Sequence, residues 1–315
     1  NTIILNSLSI QEDISIIVSL GIDRRDAYFI FKEVKKMKKQ SALLAVMPAL
    51  ALASCGQLPP ALEDGILTVG LECGYAPFNW STTTATDTTV AIQDSSFLCD
   101  GYDVRVSSYL AEELDVELRI IKTDWDGLIP SLTSGNIDAI IAGMTDTPAR
   151  RETISFSQPY FETRSIMIVL PGSDYADATT VADFEGATVV AQAGTLQDDM
   201  IAGYAETDGW VQGTAYPTYP DALTALLSGS SGIDAILAEE PFAQQMVTQH
   251  GSAIELITIL DDQEQPNDDF LITVSVGLRK ADTALLEGIE AALTALSEET
   301  RLAWMAEASE QASNL

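Results

Sequence analysis

The chain has 315 residues, 47 acidic against 16 basic side chains, and a formal net charge of −31 at pH 7. A surface this acidic argues against nucleic acid and anionic lipid headgroups as partners. A single histidine, His250, with no nucleophile elbow and no cysteine–histidine or metal-ligand spacing, gives little support to a hydrolase or metalloenzyme, and no metal or cofactor is expected.

Residues 37–54 combine a charged region (Met37-Lys38-Lys39), an apolar run over 42–53 and the small-residue stretch Leu52-Ala53-Ser54-Cys55. The run is too short to span a membrane. The pattern resembles a bacterial lipoprotein signal, which implies cleavage before Cys55, lipidation of that cysteine and an extracytoplasmic, membrane-anchored protein. Residues 1–36, which precede this complete signal, read as an upstream extension; the competing reading is a genuine N-terminal helix followed by a buried one. From Cys55 onward the chain carries 9 basic and 42 acidic residues, a net of −33, and residues 55–64 read as a linker.

Strand Ile66–Leu71 follows, ending in Glu72-Cys73-Gly74, and the Thr-, Ser- and Asp-rich segment 81–96 reads as a surface hairpin insertion without evident chemistry. Behind Asp124 or Asp126 as cap, Leu128, Ile129 and Leu132 share one helical face, with Gly135 suited to a left-handed C-terminal turn. Residues 137–142 are apolar apart from Asp138 and predict a strand buried on both faces. That strand delivers Gly143, Met144 and Thr145 into a turn, where Thr147-Pro148 reads as N-cap and first helical residue. Arg150 then falls in the first turn beside unpaired backbone N–H groups. Cations avoid that end of a helix, so its presence predicts an anionic partner.

The device recurs. LTSGNIDAIIA at 132–142 returns as LLSGSSGIDAILA at 226–238, after a predicted helix over 220–227. Likewise, strand Ile66–Leu71 is echoed by a strand over 187–192 that ends in Ala193-Gly194-Thr195. Two similar α/β lobes are therefore expected, presenting their strand ends to one shared cleft. The first repeat ends near Arg150 and the second at Glu239-Glu240, so one wall offers a cation and the other an anion. A free amino acid, with carboxylate and ammonium on one carbon, is the simplest complement.

The motifs WDGLIPSL, SGNIDAIIAGMT, TPAR, FSQPYF, GYAPF (74–78), GYDV (101–104) and AGT (193–195) appear in the order found in the polar amino-acid branch of bacterial solute-binding proteins, family 3, which the chain resembles over about residues 65–308. The resemblance implies an α/β, two-lobed type II periplasmic-binding fold with a hinge and an interlobe cleft: residues 65–163 in lobe 1, 164–264 in lobe 2, and 265–315 returning to lobe 1 with the C-terminal helices. It implies that Arg150 binds the ligand carboxylate; the alternative is a surface arginine paired with Glu152 or Asp146. Gly143 and Thr145 supply backbone and hydroxyl hydrogen bonds, Tyr75 and Trp125 sandwich the ligand side chain, Thr195 offers helix N-terminal N–H groups, and Glu239 accepts from the ammonium. Leu196 departs from the usual threonine and Glu239 from the usual aspartate. Glu72 matches a position that is acidic in some binders of basic amino acids. Phe78 suits lobe packing as well as ligand contact, and Arg151 is expected at the surface. Cys73 and Cys99, in an oxidising setting, either bridge or remain two packed thiols.

The function implied is capture of a basic or polar amino acid without turnover. The expected monomer closes about hinges near 162–165 and 260–271 and delivers its ligand to an ABC permease and its ATPase. A helix over 285–296 is expected to pack back on lobe 1. Two alternatives share the fold: a cyclohexadienyl (arogenate/prephenate) dehydratase using Glu72 or Glu239 as acid, and a sensory amino-acid-binding lipoprotein.

Overall fold

The computed structural model describes residues 58–229 and 232–315. The upstream extension at 1–36, the signal at 37–54 and the lipidation of Cys55 fall outside the described residues.

In lobe 1, β1 (Ile66–Leu71) runs parallel to both β6 (Glu117–Lys122) and β7 (Ala139–Ile140). All of β1 beyond Ile66 is buried, as its apolar, two-sided composition requires for a strand covered on both faces. A small second sheet, ordered β2-β3-β5-β4, is built from β2 (Gly74–Tyr75), β3 (Asn79–Thr82), β4 (Val90–Ala91) and β5 (Leu98–Asp100). Residues 81–96 are thus more than the simple hairpin expected, because Val90 and Ala91 return to pair with β5. Helix α1 (Tyr102–Glu113) and helix α2 (Leu128–Thr133) follow β5 and β6.

Lobe 2 repeats the plan. β9 (Thr188–Val190) lies between β10 (Val211–Gln212) and β11 (Ala235–Glu239), parallel to both. Helices α4 (Leu196–Thr207), α5 (Tyr219–Ser228) and α6 (Glu240–His250) connect these strands, with α3 (Pro148–Arg151) a single turn in lobe 1. Two long strands join the lobes. The first eleven residues of β8 (Ile154–Val169), Ile154 through Arg164, pair with β13 (Leu271–Arg279), whereas Ser165 to Val169 pair with β11, and β12 (Glu255–Ile257) covers Met167 to Val169. Helices α7 (Thr283–Ala295) and α8 (Glu298–Ala312) close the chain, and α7 returns to lobe 1, where Tyr109 Oη donates to the Ala292 carbonyl.

The sequence repeat has a physical basis in its aspartate. Asp138 accepts from Thr68 N through Oδ2 (3.0 Å) while its own N–H donates to Thr68 O (2.7 Å). Asp234 does the same with Thr188, at 2.8 and 2.9 Å. In each lobe the aspartate of the IDA motif therefore clips its strand to the neighbouring one and satisfies backbone groups that would otherwise be buried unpaired. Asp138 is further paired with Arg279 at 3.0 Å.

Two capping expectations change. Asp124 precedes a 3₁₀ turn without a side-chain cap bond, and α2 starts only at Leu128 behind Gly127, so neither Asp124 nor Asp126 caps it. Thr147 does cap α3, accepting Arg150 N, but α3 ends at Arg151. One turn has no substantial dipole, so Arg150 does not face the run of open N–H groups expected of a longer helix, and its environment comes from elsewhere.

Candidate functional site

Strand ends bring the predicted residues together. Gly143 follows β7 with φ +64, a left-handed conformation that glycine adopts without strain, and beyond this turn Arg150 reaches Gly194 of lobe 2. Arg150 Nη1 donates to Thr145 O at 2.6 Å and Nη2 to Gly194 O of lobe 2 at 3.1 Å. Its guanidinium carbon sits 5.2 Å from the centroid of Trp125, whose Nε1 donates to the same Gly194 carbonyl at 3.2 Å. Burial lowers the Arg150 pKa, and the planar cation is held over an aromatic face between two carbonyls. Arg151 points away, exposed, and pairs with Asp146.

The opposite pole is Glu239, 5 % exposed at the end of β11. Tyr75 Oη of lobe 1 donates to its Oε2, and Gln197 Nε2 of α4 donates to its Oε1 at 3.0 Å and to Ser165 Oγ, on β8, at 3.1 Å. Glu72, just beyond β1, accepts from Gln192 Nε2 of lobe 2 at 2.8 Å. Desolvation raises the carboxyl of Glu72 from an ordinary 4.5 to about 7 and that of Glu239 to about 8.

Three neighbouring groups are already engaged within the protein. The Gly143 N–H donates to Tyr160 Oη at 3.0 Å, so only the carbonyl of Gly143 remains for a ligand. The Thr195 hydroxyl donates to Gln192 O (2.8 Å) and accepts from Asp198 N (3.3 Å); it caps α4 and is committed there. Phe78 is fully buried, stacked on Tyr75 and edge-on to Tyr102 and Phe161, hence a packing residue. Cys73 and Cys99 stand 5.8 Å apart, Cα to Cα, with their sulfurs in bonding contact. A cavity of 430 Å³ lies nearby, lined by Gly74, Trp80, Lys122, Leu223, Phe242 and His250 among others, and by none of the eight predicted ligand residues.

Sequence reasoning missed the supports of the site. Tyr160 Oη accepts Gly143 N and donates to Asp103 Oδ1 (2.7 Å), and Asn79 Nδ2 donates to Asp103 Oδ2 (2.8 Å). Asp103 is fully buried and its carboxyl rises to about 7 through burial, which those hydrogen bonds only partly offset. GYDV and FSQPYF contain both residues, but nothing in the motifs says that they meet. Gln192 and Gln197 were also missed, although the position of Gln192 at the end of a repeated strand, matching Glu72, was a usable signal.

Tyr160→Phe removes the hydroxyl that accepts from the Gly143 amide and donates to Asp103 Oδ1, so it should destabilise the protein by about 2 to 4 kcal/mol and weaken ligand binding. Unchanged urea denaturation would refute the support role. For pH, the carboxyls of Glu72 and Glu239 have raised pKa values where the lobes meet. The ligand-free interlobe contact is therefore fully favoured below about 4.5 and weakens as pH rises through about 7 to 8. Small-angle scattering should show the radius of gyration of the ligand-free protein increasing from pH 4.5 to 8; a constant radius would contradict it.

Residues 67–308 match the family described as bacterial extracellular solute-binding proteins, family 3. The chain belongs to that family. Among curated proteins, the octopine-binding periplasmic protein of Rhizobium meliloti is 29 % identical over 258 residues, covering 77 % of this chain and 82 % of that protein. The L-arginine-binding protein of Pseudomonas aeruginosa is 29 % identical, covering 80 % and 90 %. Among solved structures, an amino acid ABC transporter substrate-binding protein from Streptococcus pneumoniae bound to L-arginine superposes with a TM-score of 0.65 at 25 % identity, covering 79 % of this chain and 96 % of that one. This family 3 chain therefore has the two-lobed α/β fold of periplasmic amino-acid-binding proteins, and its relatives are binding proteins rather than enzymes. Among the described residues no helix is long and apolar enough to cross a membrane.

Proposed function

We propose that this protein captures a basic amino acid between its lobes and presents it to an ABC permease and its ATPase, acting as a monomer anchored through a lipid on Cys55. The observation that carries this reading is that Arg150 of lobe 1 bonds to Gly194 of lobe 2 while Glu239 of lobe 2 receives Tyr75 of lobe 1, a guanidinium and a carboxyl each set where the lobes meet and each largely withdrawn from water. A zwitterion's carboxylate would displace the two carbonyls from Arg150, with Thr145 and the first N–H groups of α4 beside it. Its ammonium would displace Tyr75 Oη from Glu239 and meet the Gly143 carbonyl. Tyr75 and Trp125 would flank the aliphatic stem, and Glu72 would neutralise a distal cation. The raised pKa of Glu72 supports that last role, since a buried carboxyl with one neutral partner gains most from a cation. The names of the arginine- and octopine-binding relatives point to the same ligand class.

The lobe limits at 163/164 and 264/265 are proposed as the hinge. The change of partner along β8 at Arg164/Ser165 and the start of β13 at Leu271 support them. Water leaving the closed cleft strengthens both charge contacts, and closure builds the surface the permease reads. A thermal-shift screen against the amino acids tests the reading. L-arginine, L-lysine or L-ornithine should raise the melting temperature, since a ligand at a thousand times its Kd adds about 4 kcal/mol; no shift with any amino acid would reject it. The same Glu72 and Glu239 carboxyls, with pKa values raised toward neutrality by burial, are also what a dehydratase acid needs, so incubation with prephenate or arogenate is the paired control. Product formation would favour the enzyme.

A further inference from the structure

Tyr219 opens helix α5 behind the capping residue Thr218, with Pro220 next in the first turn, so its ring is fixed at the cleft face of lobe 2. There it stacks on Tyr75 of lobe 1 (5.3 Å between centroids) and packs against Phe242 of lobe 2 (5.3 Å). It is 2 % exposed, and its hydroxyl has no hydrogen-bond partner. The oxygen approaches the Thr195 hydroxyl and the Gln192 backbone. Neither meets it in hydrogen-bonding geometry, and the one proton of the Thr195 hydroxyl is already donated to the Gln192 carbonyl. A phenol buried in this way is costly, and native proteins leave few such groups unpaired.

The place of this group is informative. It lies beside Thr195, which opens α4, and beside Gln192, whose side chain holds Glu72, while its ring stacks on Tyr75. We infer that Tyr219 is a specificity-determining ligand contact, its phenol oxygen accepting a hydrogen bond from the side-chain nitrogen of a basic amino acid whose charge Glu72 balances. The inference rests on the reading of the cleft as an amino-acid site and adds to it a residue from the wall opposite Glu72. A ligand side chain running from Arg150 toward Glu72 passes this hydroxyl, so the unpaired group in the ligand-free protein becomes paired on binding. A purely apolar side chain would leave it orphaned, which makes the phenol a filter as well as a contact.

Tyr219→Phe keeps the ring stacking and removes only the oxygen. Calorimetric titration with L-arginine, alongside melting of the ligand-free protein, separates the roles. The variant should bind L-arginine about five- to tenfold more weakly, the loss of one hydrogen bond, while its ligand-free melting temperature stays the same or rises, because a buried unpaired hydroxyl has been deleted. Unchanged arginine affinity in the variant, with the wild type binding, overturns the assignment of Tyr219 and leaves the cleft reading intact. A fall in ligand-free melting temperature that accounts for the affinity loss assigns Tyr219 a structural role and also overturns it. Failure of the wild-type protein to bind L-arginine overturns both.

Discussion

Replacing Arg150 by alanine should weaken amino-acid binding by about 2 to 5 kcal/mol, roughly 30-fold to several thousand-fold in Kd, because a ligand carboxylate would then be buried without its cation. Two features of the site put the effect at the upper end of a single-residue loss. The guanidinium is partly desolvated, so its interaction with an anion is weakly screened. It is also preorganised, held over Trp125 with both Nη groups directed at carbonyls that a carboxylate can replace. Because Arg150 reaches Gly194 of lobe 2, the variant should also close less readily without ligand. Arg151→Ala is the matching control: that side chain is exposed and occupied with Asp146, and calorimetry should find the affinity unchanged. Equal affinities for the wild type and Arg150→Ala would mean that the cation on this wall has another purpose.

The second large effect concerns Cys73 and Cys99. A bond between them closes a loop of 26 residues, which on the chain-entropy model stabilises by about 3.5 kcal/mol. For a folded unit of this size, that is about 7 to 14 °C in melting temperature. The bond ties the segment between β1 and β2, with Glu72 before Cys73 and Tyr75 just after it, to β5, which leads into α1. Reduction under native conditions, or a Cys73→Ala, Cys99→Ala double variant, should therefore lower both the melting temperature and the affinity for a basic ligand. Two alkylatable thiols in the unreduced, mature protein, with no change in melting on adding reductant, would remove the bridge from the account.

The fold was legible in the sequence where backbone demands left marks. Strand β1 fell at Ile66–Leu71 as its apolar run required, and helix α5 lay within a residue of the expected 220–227 at each end. The repeated IDA motif is now understood as two aspartate clips, each fixing a strand beside its neighbour. The turn at Gly143 and the closing helix on lobe 1 were likewise recoverable from glycine and periodicity. What escaped depends on distance in space rather than along the chain. Gln197 joins Glu239 to Ser165, Tyr160 joins Gly143 to Asp103, and Tyr219 meets Tyr75; each contact brings together segments that no local pattern relates. The helix dipole does not account for Arg150, since α3 is one turn long; what the side chain reaches is the Gly194 carbonyl of lobe 2.

The claim on which the rest stands is that Arg150 and Glu239 together grip the two charges borne by the α-carbon of one amino acid. Calorimetric titration of the protein with L-arginine, with agmatine, which lacks the carboxylate, and with desamino-arginine, which lacks the α-ammonium, measures each half of that grip. The account predicts tight binding of L-arginine and binding of each analogue weaker by at least about 30-fold. An analogue that binds within about threefold of L-arginine would show that one of the two charges is not recognised, and would contradict it.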